Sequence, residues 1–170
     1  MKWIGALLFI SITTWIGFER SNILQKRPKH IRQLLDALQI LEAEMIYSQL
    51  PLQDVFKTIA NQIPVPTRVF FNNVSLEMEK DASHFTYIWE NHVVNFCKRA
   101  ALNENEREIL TQFGQTLGQH DLSQQKKHIQ LTKTHLEREL DIARTNEQKY
   151  GKMMKTLGFL CGLFIILLLI

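Results

Sequence analysis

The sequence predicts an all-α protein: a bundle of about six helices between an N-terminal and a C-terminal transmembrane helix. Three observations predict it. Residues 157–170 carry no charged or polar side chain, and residues 3–18 form a second apolar run. Between these ends, apolar residues recur at helical spacing, and runs of β-branched residues are too short to read as strands. An apolar tail at a chain end has no folded core left to enter, so a lipid bilayer is its expected solvent. The expected division is a transmembrane helix at 1–18, a cytoplasmic helical domain at 19–155 and a second transmembrane helix at 156–170.

Each apolar run spans about 22–24 Å as a helix, against roughly 30 Å of bilayer hydrocarbon, so flanking residues must complete each span. Trp3 and Trp15 suit the interfaces, and Lys152 and Lys155 suit snorkelling at the second span. The first run ends Thr13-Thr14-Trp15-Ile16-Gly17-Phe18-Glu19, without the small-residue pattern of a cleaved signal, which argues for its retention. Lys2 precedes that run, whereas Arg20, Lys26, Arg27, Lys29 and Arg32 follow it. Lys149, Lys152 and Lys155 precede the last run and nothing basic follows. By the positive-inside rule both ends place the central domain in the cytoplasm.

Net charge is +3, and the basic residues cluster beside the apolar runs, where nucleic acid does not explain them. Cys97 and Cys161 are the two cysteines, one of them inside the apolar tail, so no disulfide framework is expected.

Along the middle, Ile31, Leu34, Leu35, Leu38, Leu41 and Met45 stripe a first helix over 29–48, with Arg32, Asp36 and Glu42 off the stripe. Pro28 and Pro51 are expected to bound it. A second helix over 52–63 turns Val55, Phe56 and Ile59 inward, and Pro64-Val65-Pro66 ends it. A third over 67–80 buries Val69, Phe70, Val74 and Met78. A fourth over 83–99 buries Phe85, Ile88, Trp89, His92, Val93 and Phe96, with His92 a hydrogen-bonded core histidine. Asn103 and Glu106 have capping-box spacing and open a fifth helix, which Gly118 closes. From Leu122, with Asp121 or Ser123 as its cap, the pattern runs without proline to the end. It carries Ile129, Leu136, Leu140, Ala143, Tyr150 and Met154 along one face, and Gly151 is its weakest point.

The sequence points away from catalysis. His128 and His135, with His120 before them, suggest a shared face, but no HExxH, nucleotide-binding glycine loop or nucleophile elbow accompanies them. Cys97 has no neighbouring base at useful spacing. No cofactor and no metal site is expected. The residues suited to interaction are Lys29, Arg32, Glu42 and Glu44, a charged docking face on the first helix. Gly158 and Gly162 form a GxxxG pair for close packing in the membrane, against the first span or a second copy. Gly114 and Gly118 are expected to serve packing and capping within the bundle.

Several blocks together resemble a known family. They are Arg27-Pro28-Lys29-His30-Ile31-Arg32-Gln33-Leu34; Leu41-Glu42-Ala43-Glu44-Met45-Ile46-Tyr47; Phe113-Gly114-Gln115-Thr116-Leu117-Gly118-Gln119-His120-Asp121; and Lys152-Met153-Met154-Lys155-Thr156-Leu157-Gly158-Phe159-Leu160. In order and at matching length, the chain resembles the stage III sporulation protein AB family of endospore-forming bacteria. No block matches over 70–99. More distantly, residues 38–60 are similar to the cytoplasmic helical domain of the platform protein of type II secretion and type IV pilus systems. The resemblance implies a platform subunit of the channel between mother cell and forespore, in the mother-cell membrane around the forespore. Its implied partners are a cytoplasmic secretion-type ATPase of the same operon and the other membrane channel subunits. The competing expectation is a membrane-anchored tether or coiled-coil scaffold whose last helix self-pairs.

Overall fold

The computed structural model describes residues 25–81, 83–118 and 121–169, with side chains beyond Tyr150 described at Met153, Thr156 and Leu160. Every regular element among them is helical: α1 (25–43, closing in a π-helical turn at Glu44–Ser48), α2 (Leu52–Gln62), α3 (Thr67–Lys80), α4 (Phe85–Ala100), α5 (Glu104–Thr116) and α6 (Leu122–Leu169). The chain divides into a compact unit, Lys29–Leu140, and a second unit made of 1–28 and 141–170.

The expected first transmembrane helix, 1–18, lies outside the described residues. Among the described residues no helix is long and apolar enough to cross a membrane. The backbone of α6 is nonetheless helical without a break from Leu122 to Leu169, through Gly151. Pro28 differs from expectation, because the helix already begins by Gln25 and Pro28 lies inside it, buried.

The core of the compact unit is aromatic. Trp89 of α4 is 1 % exposed. Its ring centroid lies 5.8 Å from Phe56, 4.9 Å from Phe70 and 5.9 Å from Phe113, so one indole registers α2, α3, α4 and α5 against each other. Its Nε1–H donates to the Leu110 carbonyl at 2.7 Å, which satisfies the buried donor. A Cβ added at Gly114 would sit 2.6 Å from Trp89 Cγ, so α5 approaches the ring only because that side chain is missing. Gly118 serves differently: its φ of +79° turns the chain out of α5, and its N–H donates to Gln125 Oε1 at 3.1 Å.

Helix ends follow local chemistry. The capping box at Asn103 and Glu106 is formed, with the Asn103 N–H donating to Glu106 Oε2 at 2.8 Å. Asp121, rather than Ser123, caps α6 by accepting from the Gln124 N–H at 3.3 Å. Ahead of α4, the Ser83 hydroxyl and N–H donate to Asp81 and, with His84, hold its carboxyl down at about 2. At the end of α4, Ala101 takes a left-handed conformation (φ 53°) while the Leu102 N–H donates to the Cys97 carbonyl at 3.0 Å.

Two substitutions separate these constraints. Gly114→Ala forces a clash with Trp89 and should destabilise the chain by about 3 kcal/mol. Ala101→Gly relieves a left-handed alanine and should stabilise it by about 0.5–1 kcal/mol. Urea unfolding of the full chain in detergent reads both.

Candidate functional site

The expected docking residues Lys29, Arg32, Glu42 and Glu44 all follow from α1, but the structure does not gather them into one patch. Lys29 and Arg32 are exposed near the start of the compact unit. Glu42 lies ten residues beyond Arg32, about 15 Å along the helix axis. Its carboxylate faces α6, accepting from Gln130 Nε2 at 2.8 Å and Lys133 Nζ at 3.2 Å. With side-chain exposures of 15 % and 21 %, Glu42 and Lys133 form a partly shielded clamp between the first and last helices. Glu44 is half-buried and opens the π-helical turn. Beyond it Tyr47 is 81 % exposed, and Gln49 adopts a left-handed φ of 51° before Pro51 starts α2.

At the other end α1 is held by buried polar contacts. His30 Nδ1–H donates to the Ala100 carbonyl at 2.6 Å, a carbonyl being able only to accept. The Thr67 hydroxyl donates to Gln33 Oε1 at 3.0 Å. Between the two ends Ile31, Leu34, Leu38 and Leu41 are buried as the stripe requires. On α6 Gln125, Ile129, Thr132, Leu136 and Glu139 are buried, polar and apolar in turn at spacings of four and three, and Leu140 and Ala143 follow them. That seam is occupied inside the compact unit.

The remaining candidates are structural or peripheral. Cys97 is buried, and burial, aided by the Glu106 carboxylate, pushes its thiol up to about 12, where it is no nucleophile. His92 is not a core residue as expected. It is part-exposed and meets Glu77 of α3 at 2.5 Å, because α4 turns that position to the rim of the helix pair. His128 and His135 both line a shallow cleft of about 160 Å³ between α5 and α6, with Phe113 and Leu131. His120 lies outside the described residues. Among the described residues no three His, Cys, Asp or Glu side chains are placed to hold a metal ion. Gly158 and Gly162 fall where only the helical backbone is described, so their packing lies outside the described residues.

Sequence periodicity found Glu42 but missed its partners. Lys133 and Gln130 are 91 and 88 residues away, and nothing local marks them. His30, Gln33 and Thr67 were equally invisible, since polar residues on a buried face look like breaks in a stripe.

Residues 2–170 match the family model described as stage III sporulation protein AB. The chain is 42 % identical over 169 residues to stage III sporulation protein AB of Bacillus subtilis (strain 168), covering 99 % of each chain. A solved structure of stage III sporulation protein AB is similar at a TM-score of 0.68 and 38 % identity, over 73 % of this chain and 98 % of that one.

The Glu42 clamp should behave as a coupled pair. In a double-mutant cycle with Glu42→Gln and Lys133→Met, unfolding free energies should show a coupling of about 1 kcal/mol that falls at high salt.

Proposed function

The chain belongs to the stage III sporulation protein AB family, and from that premise we propose that it is a non-enzymatic platform in the mother-cell membrane around the forespore. In this reading its two apolar ends anchor it, its helical domain faces the mother-cell cytoplasm, and a cytoplasmic ATPase of the secretion type docks there. The platform couples that ATPase to the other membrane subunits of the mother cell–forespore channel. Gly158 and Gly162 pack closely in the bilayer.

The observation that carries this reading is the continuity of α6. The segment packed into the compact unit through Ile129, Thr132 and Leu136 is the same helix that reaches Leu169. The clamp from Glu42 ties α1, which leads back to the other apolar run, to that same helix. With Glu42 engaged inside the domain, the ATPase-facing part of the first helix is Glu44 and the exposed Tyr47 beyond it.

Full-length protein in nanodiscs should bind the purified ATPase of the same operon saturably by light scattering. Glu44→Lys with Tyr47→Ala should weaken that binding at least tenfold, or about 1.4 kcal/mol, without changing the unfolding midpoint. Saturable binding untouched by the pair moves the docking site off α1. Absence of binding by a folded chain favours the tether.

A further inference from the structure

One end of the compact unit gathers five exposed cations from three different helices. Its position follows from three contacts: His30 against Ala100, Thr67 against Gln33, and Asn105 Nδ2 donating to Glu139 at 3.4 Å. These place the start of α1, the α2–α3 connection, the α4–α5 connection and residues near Leu140 together. Exposed at this end are Lys29, Arg32, Arg68, Lys98 and Arg99. Of the carboxylates there, Glu104 pairs with Arg107, Glu106 closes the capping box, and Glu139 is buried beside Asn105 and Arg138, while Glu137 is exposed.

The same end carries two clefts, one on each side of Val69. One, of about 230 Å³, is lined by Arg99 with the amides of Asn73 and Asn95. The other, of about 380 Å³, is lined by Arg68 with the amides of Asn61 and Asn72. The Arg68 Nε–H donates to the Ile63 carbonyl at 3.1 Å, which fixes the base of its guanidinium against the turn. An arginine with two amides is a donor set for phosphate oxygens. Between the clefts the connection projects Val65, 61 % exposed and flanked by prolines. An apolar tip ringed by cations suits a charged membrane surface.

We propose that this end is a docking face for anionic phospholipid headgroups, with Arg68 and Arg99 taking phosphate in the two clefts and Val65 entering the interface. The occupant is argued from the chain itself. Lys29 and Leu140, where the chain enters and leaves the compact unit, both lie at this end. Beyond them the apolar runs begin within ten and sixteen residues, at Phe18 and Leu157. Ten and sixteen residues are short tethers, so in the anchored reading this end cannot lie far from the bilayer surface. The proposal rests on the anchored reading above.

The test uses the full chain with Cys161→Ser and Val65→Cys, spin-labelled at 65, in nanodiscs of phosphatidylcholine or of equal parts phosphatidylcholine and phosphatidylglycerol. With phosphatidylglycerol the label should lose accessibility to a water-soluble nickel reagent several-fold and gain accessibility to oxygen. Added salt, or Arg68→Glu with Arg99→Glu, should reverse this. Asn73→Ala with Asn95→Ala, which leaves net charge unchanged, should reverse part of it. A label equally water-exposed in both lipids overturns the proposal, and so does one equally protected in both. Protection by added polyglutamate but not by phosphatidylglycerol assigns the face to an acidic protein and also overturns it. Failure of the chain to stay with the discs at all overturns the anchored reading instead, and is seen before any label is read.

Discussion

The fold depends on one buried donor finding its acceptor. An indole N–H in a dry core must be paired, and within α4 every carbonyl near Trp89 already serves its own helix. The Leu110 carbonyl of α5 has a second lone pair, reachable only because position 114, one turn further on, is glycine. The ring is thereby fixed in depth and orientation, and Phe56, Phe70 and Phe113 pack around it at edge or tilted angles that aromatic quadrupoles favour. Four helices take their relative heights from that contact. The two clefts beside Val69 exist because α2, α3 and α4 are held at those heights.

The outer helices are held by a different physics. Between its buried leucines α1 is pinned by His30, Gln33 and Glu42, and the inward seam of α6 alternates Gln125, Thr132 and Glu139 with Ile129 and Leu136. An all-apolar seam tolerates sliding by a turn, because one leucine layer resembles the next. A one-turn slip here leaves a carboxylate or amide facing hydrocarbon, at several kcal/mol. The helices that lead toward the apolar runs are therefore those whose register is set by directional bonds.

This division explains what the sequence could and could not reveal. Helices α2 to α5 were legible nearly to the residue, because prolines, a capping box and a glycine with positive φ punctuate a strong 3.6 period. The aromatic cluster was legible as a stripe even over 70–99, where no family block helped. The π-helical turn at Glu44–Ser48 was not, since one wider turn leaves no mark on a period. Pro28 misled because proline in a helix reads as a boundary. The docking face on Lys29, Arg32, Glu42 and Glu44 was read as a unit because all four lie off the stripe. Exposure calculated from α1 alone cannot know that α6 returns to cover Glu42.

That return also sorts charge along the domain. Glu42 and Lys133 neutralise each other midway, leaving the end near Lys29 with Arg32, Arg68 and Arg99 and the opposite end with Glu44 and Tyr47. In the proposed reading, the exposed arginines of one end face a negatively charged bilayer and the turn carrying Glu44 and Tyr47 faces the partner. Long-range steering acts over about a Debye length, so in that reading it would orient the membrane-facing end more than the far one. The far end then needs recognition by shape. An exposed tyrosine beside a left-handed residue, in a turn wider than an α-helix, provides a surface that a neighbouring helix end does not mimic.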